Sequence, residues 1–199
     1  MYRVIATVAM GLLATATCHA REDMQNGVYI GVDGGRANAS GACNGAPGGI
    51  SSCATNGTAV GAVIGYHFLH FLSVEGGYHS FGTYDVIGSP AFPINGSTKL
   101  SGVEVAAIGN FPIGAGFGFI TRAGAAATQV KETAVVVGYG QSVSQSATTA
   151  GGLVGVGLRY VFSPQLQARL LINYYGTVGN STTGQAKLSA YTAGLTYTF

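Results

Sequence analysis

The last ten residues, Ala190-Tyr191-Thr192-Ala193-Gly194-Leu195-Thr196-Tyr197-Thr198-Phe199, alternate with a period of two. Tyr191, Ala193, Leu195, Tyr197 and Phe199 take the odd positions; Ala190, Thr192, Gly194, Thr196 and Thr198 take the even ones. Successive side chains of an extended strand point to opposite faces. The stretch therefore predicts a strand with one aromatic and aliphatic face and one small, hydroxylated face.

Working back along the chain, the same alternation recurs. Leu166, Ala168, Leu170, Ile172 and Tyr174 oppose Gln167, Arg169 and Asn173, and Val154, Val156, Leu158, Tyr160 and Phe162 oppose Gly155, Gly157 and Arg159. Phe117, Phe119, Ala123 and Ala125 oppose Arg122, while Val103, Val105, Ala107 and Phe111 oppose Gly102, Glu104 and Asn110. Leu72, Val74 and Tyr78 oppose Ser73, Glu75, Gly77 and His79; Val60, Ala62, Ile64, Tyr66 and Phe68 oppose Gly61, Gly65 and His67. The first segment sets Val28, Ile30 and Val32 against Tyr29, Gly31 and Asp33. That makes eight strands, an even number as in bacterial outer-membrane barrels. Short links at Leu69–Phe71, Pro112–Ala115 and Ser163–Pro164 alternate with long polar ones at Ala37–Gly57, Gly82–Thr98, Lys131–Thr149 and Val178–Gly184. Short turns at one end and long loops at the other predict an all-β fold: an eight-stranded antiparallel up-and-down transmembrane β-barrel.

Composition decides what bathes the greasy face. Only 8% of the 199 residues are charged, against roughly 25% in an ordinary soluble domain. A soluble ligand carrier of the lipocalin kind would turn its apolar face inward and its polar face to water. Here the polar face carries Asp33, Glu75, Glu104, Arg122, Arg159 and Arg169, three acids and three bases separated by glycines. Six charges are too few to solvate a barrel, but in a narrow lumen they can pair, as buried charges must. The apolar face then meets lipid. Eight strands leave room inside for side chains and no wide pore, so the lumen reads as a plug, with a narrow ion or small-solute channel (porin-like) as the alternative. With a net charge of +2 and no basic run, nucleic acid is excluded as a partner.

Residues 1–20 read as a signal peptide: Arg3, an apolar stretch from Val4 to Ala14, then the small-residue ends Ala14-Thr15-Ala16 and Cys18-His19-Ala20. The apolar run is shorter than the ~18–20 residues of a membrane helix. Residues 21–199 form the barrel domain. Cleavage after Ala20 leaves Cys43 and Cys53, an even number in an exported chain, which predicts one disulfide closing the first long loop.

Several stretches fall into one family pattern. Gly57–Gly82, with its core Gly65-Tyr66-His67-Phe68-Leu69-His70-Phe71-Leu72-Ser73-Val74-Glu75-Gly76-Gly77-Tyr78, resembles the second hairpin of the OmpA-type transmembrane domain. Gly102-Val103-Glu104-Val105 with Phe111-Pro112, Phe119 to Gly124, and Leu158 to Pro164 leading to Ala168-Arg169-Leu170 are similar to further parts of it. The resemblance spans the whole mature chain. It implies that Glu75 and Arg169 stand at a lumen acid–arginine gate pair and Arg122 at a further lumen arginine. The family's second pair, a lysine and a glutamate, is lacking, since Ile108 and Arg159 stand there. Tyr197-Thr198-Phe199 is similar to the aromatic C-terminal signal read by the barrel-assembly machinery, with Tyr197 and Phe199 its key side chains. No peptidoglycan-binding domain of that family is expected after the last strand.

Lys99, Lys131 and Lys187 lie on the outward parity near the loop ends of their strands, where lipopolysaccharide phosphates are the expected contacts. No catalytic constellation emerges: His79 and Ser80 are adjacent and so point to opposite faces, and the glycine-rich stretches precede no helix. No metal site and no cofactor are expected. The sequence thus predicts a monomeric, non-enzymatic barrel in the bacterial outer membrane. Its partners would be membrane lipid and lipopolysaccharide, the assembly machinery, and a surface ligand at the exposed loops. Its role would be structural in the envelope, with loops for adhesion or host contact.

Overall fold

The computed structural model describes residues 26–41, 50–88, 94–136, 142–180 and 184–199. Among the described residues nine strands are formed: β1 (Gly27–Ser40), β2 (Ile50–Cys53), β3 (Asn56–Leu69), β4 (Leu72–Gly88), β5 (Ile94–Gly114), β6 (Phe117–Val136), β7 (Ser142–Val161), β8 (Leu166–Asn180) and β9 (Gly184–Thr198). Eight of them close a ring in the order β1-β3-β4-β5-β6-β7-β8-β9, and β9 pairs back onto β1. Every pairing is antiparallel. Short β2 lies beside the far end of β4, where it carries the line of β3 onward past Ala54 and Thr55.

The alternation sits as the sequence predicts. Val32, Ile64, Val105, Val156, Leu170 and Leu195 face outward and are exposed, while Asp33, Glu75, Glu104, Arg122, Arg159 and Arg169 face the lumen and are buried. So broad a surface of exposed aliphatic and aromatic side chains has no place in water; around a barrel it is the lipid band. Tyr66 and Phe68, Tyr160 and Phe162, and Tyr197 and Phe199 pack edge-on at the short-turn end, forming an aromatic girdle.

The outward face changes character along one ring. Arg36, Thr58, Ser80, Ser101, Gln129, Thr148 and Ser189 form a polar collar around the barrel, and Lys99, Lys131 and Lys187 lie beyond it. Seven residues of β3 and of β9 and eleven of β7 lie between collar and girdle, so these strands cross the apolar band in about the length of a tilted membrane-spanning strand. Yet β5, β6 and β7 run for 21, 20 and 20 residues. At ~3.3 Å per residue and a tilt of ~40° they rise about 50 Å, twice the ~25 Å apolar band.

The long links are therefore much shorter than the sequence predicts. Residues 37–40, 50–53, 82–88, 94–98, 131–136, 142–149, 178–180 and 184, expected in loops, lie in strands. These stretches are rich in Thr, Ser and Val, which suit a pleated sheet; their polarity marked them as loop, although it reflects strand surface that meets water, on both faces at the start of β7. The turn expected at Pro112–Ala115 is a two-residue hairpin at Ala115-Gly116, both with positive φ (54° and 81°). Two left-handed residues in succession make the mirror-image turn that matches strand twist.

Candidate functional site

The lumen holds the chemistry, and glycines make room for it. A Cβ at Gly61 would strike the His79 ring, one at Gly65 the Tyr29 ring, and one at Gly155 the Asn173 side chain; one at Gly118 would strike Arg159. Each large polar side chain thus lies over a bare patch of neighbouring backbone.

Glu75 of β4 is the hub. Its Oε1 accepts from Arg122 Nη2 at 2.7 Å, and its Oε2 accepts from Arg169 Nη1 at 2.5 Å and from Tyr29 Oη at 3.1 Å. β4 and β8 stand four places apart in the ring of eight, so the Glu75–Arg169 bond spans the barrel. Arg122 also donates to Glu104 Oε1 at 2.5 Å and to Asn173 Oδ1 at 2.9 Å, and Arg169 Nη2 to Asp33 Oδ2 at 3.1 Å. His79 lies between two acids, Nε2 3.3 Å from Asp33 and Nδ1 3.6 Å from Glu104. Arg159 is buried in the lumen beside Arg169 in the cross-strand register, and His67 stacks on Tyr29 with ring centroids 4.4 Å apart.

All six charges singled out in the sequence thus share one lumen, five of them in a single connected network. Three acids and three arginines balance to zero, which is what a low-dielectric interior requires. Tyr29 and Asn173 belong to the network as well; their lumen parity was the signal available for them. Ile108 is buried in the lumen, where it takes no part in ion pairing.

A second feature escaped the sequence reading. On the extracellular side of the charges the lumen turns apolar: Phe81 packs edge-on against Tyr175, with centroids 4.8 Å apart, beside buried Leu153 and Leu188. Farther up, Tyr84, Leu100, Val130 and Val178 continue this interior core. On the periplasmic side Ile108, Ile120 and Leu171 border the network, leaving a cavity of about 20 Å³, room for a water or two. Inside and outside therefore exchange polarity at the collar, because the surrounding solvent changes there from lipid to water.

The remaining sequence candidates separate. Lys99, Lys131 and Lys187 are exposed, and Lys99 and Lys131 are direct cross-strand partners. Arg36, unremarked in the sequence, faces outward in the collar. Cys53 is disulfide-bonded, while Cys43 and the signal segment 1–20 lie outside the described residues. Tyr197 and Phe199 are exposed on the outer face. Among the described residues no three His, Cys, Asp or Glu side chains group to hold a metal.

Residues 23–199 match the family model of the OmpA-like transmembrane domain. Outer membrane protein A of Serratia marcescens is 29% identical over 127 residues, covering 64% of this chain and 34% of the relative. The chain thus spans about a third of the length of that curated relative. Among solved structures, Ail of Yersinia pestis aligns with a TM-score of 0.56 at 17% identity, covering 88% of this chain and 100% of Ail. Neisserial surface protein A aligns at 0.55 and 18%, covering 86% and 97%, and OprG of Pseudomonas aeruginosa at 0.56 and 14%, covering 89% and 98%. With a lipid band on its outer face, the chain resides in the bacterial outer membrane. A ring of eight antiparallel strands, a charge-balanced lumen and a family match across nearly all of its length establish that this chain belongs to the OmpA-like transmembrane domain family.

Proposed function

We propose that the protein is a closed, non-enzymatic barrel that reinforces the outer membrane and presents its extracellular end for adhesion or host contact. The observation that supports this reading is the state of the lumen. Three buried acids and three buried arginines lie between apolar layers, five of them joined by ion pairs, and the residual cavity beside them is only about 20 Å³. An ion crossing it would have to part Arg169 from Glu75 and Phe81 from Tyr175 together. The tall extracellular extension supports the second half of the reading, since it lifts the loops well clear of the lipid headgroups.

Subsidiary roles follow in the same reading. A leader at residues 1–20 directs export, Cys43 and Cys53 close the first loop, and Tyr197 with Phe199 engages the assembly machinery. The barrel works as a monomer. Lys99 and Lys131 stand side by side on the outer face. Like charges opposite one another repel, and an anionic lipopolysaccharide phosphate between them would relieve this; Lys187 and Arg36, on the adjacent strands β9 and β1 across the barrel, would offer a second such contact. Ail has been solved in complex with the heparin analogue sucrose octasulfate; a comparable anionic surface ligand at this chain's loops is part of the proposal.

Two measurements test it. Refolded protein in planar bilayers should give no steady conductance; steady channels altered by Glu75→Gln or Arg169→Gln would instead establish the channel alternative. Cells expressing the protein with residues 42–49 replaced by a short Gly-Ser linker should lose surface binding while keeping barrel levels. Unchanged binding removes the loop role.

A further inference from the structure

Above the collar, the barrel interior opens into a pocket of about 70 Å³ that the lumen network does not reach. Its walls are apolar, with Val86, Leu100, Val130 and Val178 prominent among them. Three polar side chains line it from one cross-strand row, and Gln185 of β9 lines it as well. Tyr84 of β4 pairs with Thr98 of β5, which pairs with Glu132 of β6, and all three line the pocket. At ~4.8 Å between strands, Tyr84 and Glu132 start about 10 Å apart, so their side chains bracket a small guest.

Among the described residues the Tyr84 hydroxyl is buried without a protein partner, and the part-buried Glu132 carboxylate has no cation beside it. Tyr84 is 3% exposed and its Oη has no hydrogen-bond partner among the described residues. Glu132 forms no ion pair among the described residues: its neighbours Lys99 and Lys131 lie on the opposite parity and face outward. Burial alone raises both groups above their ordinary pKa values, Tyr84 to about 12, with no neighbouring charge or hydrogen bond acting on either. A buried polar atom without a partner is costly, and such atoms mark places where something else supplies the partner.

We propose that this pocket binds a small organic ammonium ion with a short apolar body. The ammonium would donate to the Glu132 carboxylate and to Tyr84 Oη, while the alkyl or aryl portion fills the space between Leu100, Val130 and Val178. A carboxylate or phosphate ligand would be repelled by Glu132. A bare metal ion would find one carboxylate and the neutral oxygens of Tyr84, Thr98 and Gln185, short of the six to eight oxygen ligands of a hard cation such as calcium. The pocket stands on the extracellular side of the Phe81–Tyr175 layer, so its guest is held at the surface.

The test uses the full mature chain, refolded in zwitterionic micelles and followed by amide NMR shifts, with n-butylammonium as the probe and n-butanol and butyrate as matched controls. Butylammonium should give saturable shifts at Tyr84, Thr98 and Glu132, butanol weaker ones and butyrate none. Glu132→Gln should weaken butylammonium binding by about tenfold or more, as loss of a charge-assisted hydrogen bond would, and Tyr84→Phe by a smaller factor. Ala186→Phe, which fills the pocket from β9, should abolish it, and serves if Glu132→Gln does not refold. Equal shifts with butyrate, no saturable shift, or binding untouched by Glu132→Gln and Ala186→Phe would overturn the proposal.

Discussion

Replacing Glu75 by Gln preserves the shape of the lumen hub and removes one charge. In the native barrel the Glu75 carboxylate, 1% exposed, accepts from two arginines and a tyrosine. The variant leaves the six-charge interior at +1, with Arg122 and Arg169 facing a neutral amide. Removing one partner of a buried ion pair costs about 3–5 kcal/mol, because the remaining charge stays buried. Part of that loss is recoverable. Adding Arg169→Gln returns the interior to neutrality, with Asp33 and Glu104 against Arg122 and Arg159. The double variant should be more stable than the sum of the single losses predicts, with a coupling of about 1–3 kcal/mol. Equilibrium urea unfolding in lipid vesicles, followed by the heat-sensitive gel shift of folded barrels, measures all four species. A Glu75→Gln loss below about 1 kcal/mol, or strictly additive effects, would refute the argument that charge balance holds the lumen together.

Three further outcomes follow from the same structure. Ile64→Arg, outward in the middle of β3, should cost about 2–4 kcal/mol of barrel stability in vesicles, whereas Thr58→Arg in the collar should cost under about 1 kcal/mol; equal costs would misplace the lipid band. Ala115→Asn should stabilise the β5–β6 hairpin by up to about 1 kcal/mol, since Ala115 sits at a φ of 54° that Asn tolerates better, and urea midpoints would check it. Burial raises the Glu132 pKa, so folding favours the protonated acid. Its stability contribution is full below the unfolded value of ~4.3 and is lost as pH rises through the higher folded value. Wild type should therefore lose stability relative to Glu132→Gln across that interval, and a flat difference from pH 4 to 7 would count against it.

Much of this molecule is legible along the chain because strand alternation is local. Each segment states which of its side chains share a face, and the scarcity of charge shows that the larger face cannot meet water. The lipid band and the lumen placement of Asp33, Glu75, Glu104, Arg122, Arg159 and Arg169 follow from that alone. Strand length was harder to read. Residues 131–136 and 142–149 looked like loop because their polarity resembles loop polarity; only the pairing of β6 with β7 reveals that the sheet continues there.

Who bonds to whom belongs to the tertiary structure. Glu75 and Arg169 are 94 residues apart and meet because closure of the ring sets β4 across from β8. The bulges near Gly82 and Gly176 set which upper residues of those strands turn inward, and so the pocket shared by Tyr84 and Glu132 exists only once the register is set. Periodicity is a property of neighbouring residues, and the chain carries it by itself. Register and closure depend on strands distant in sequence, and these decide the partners.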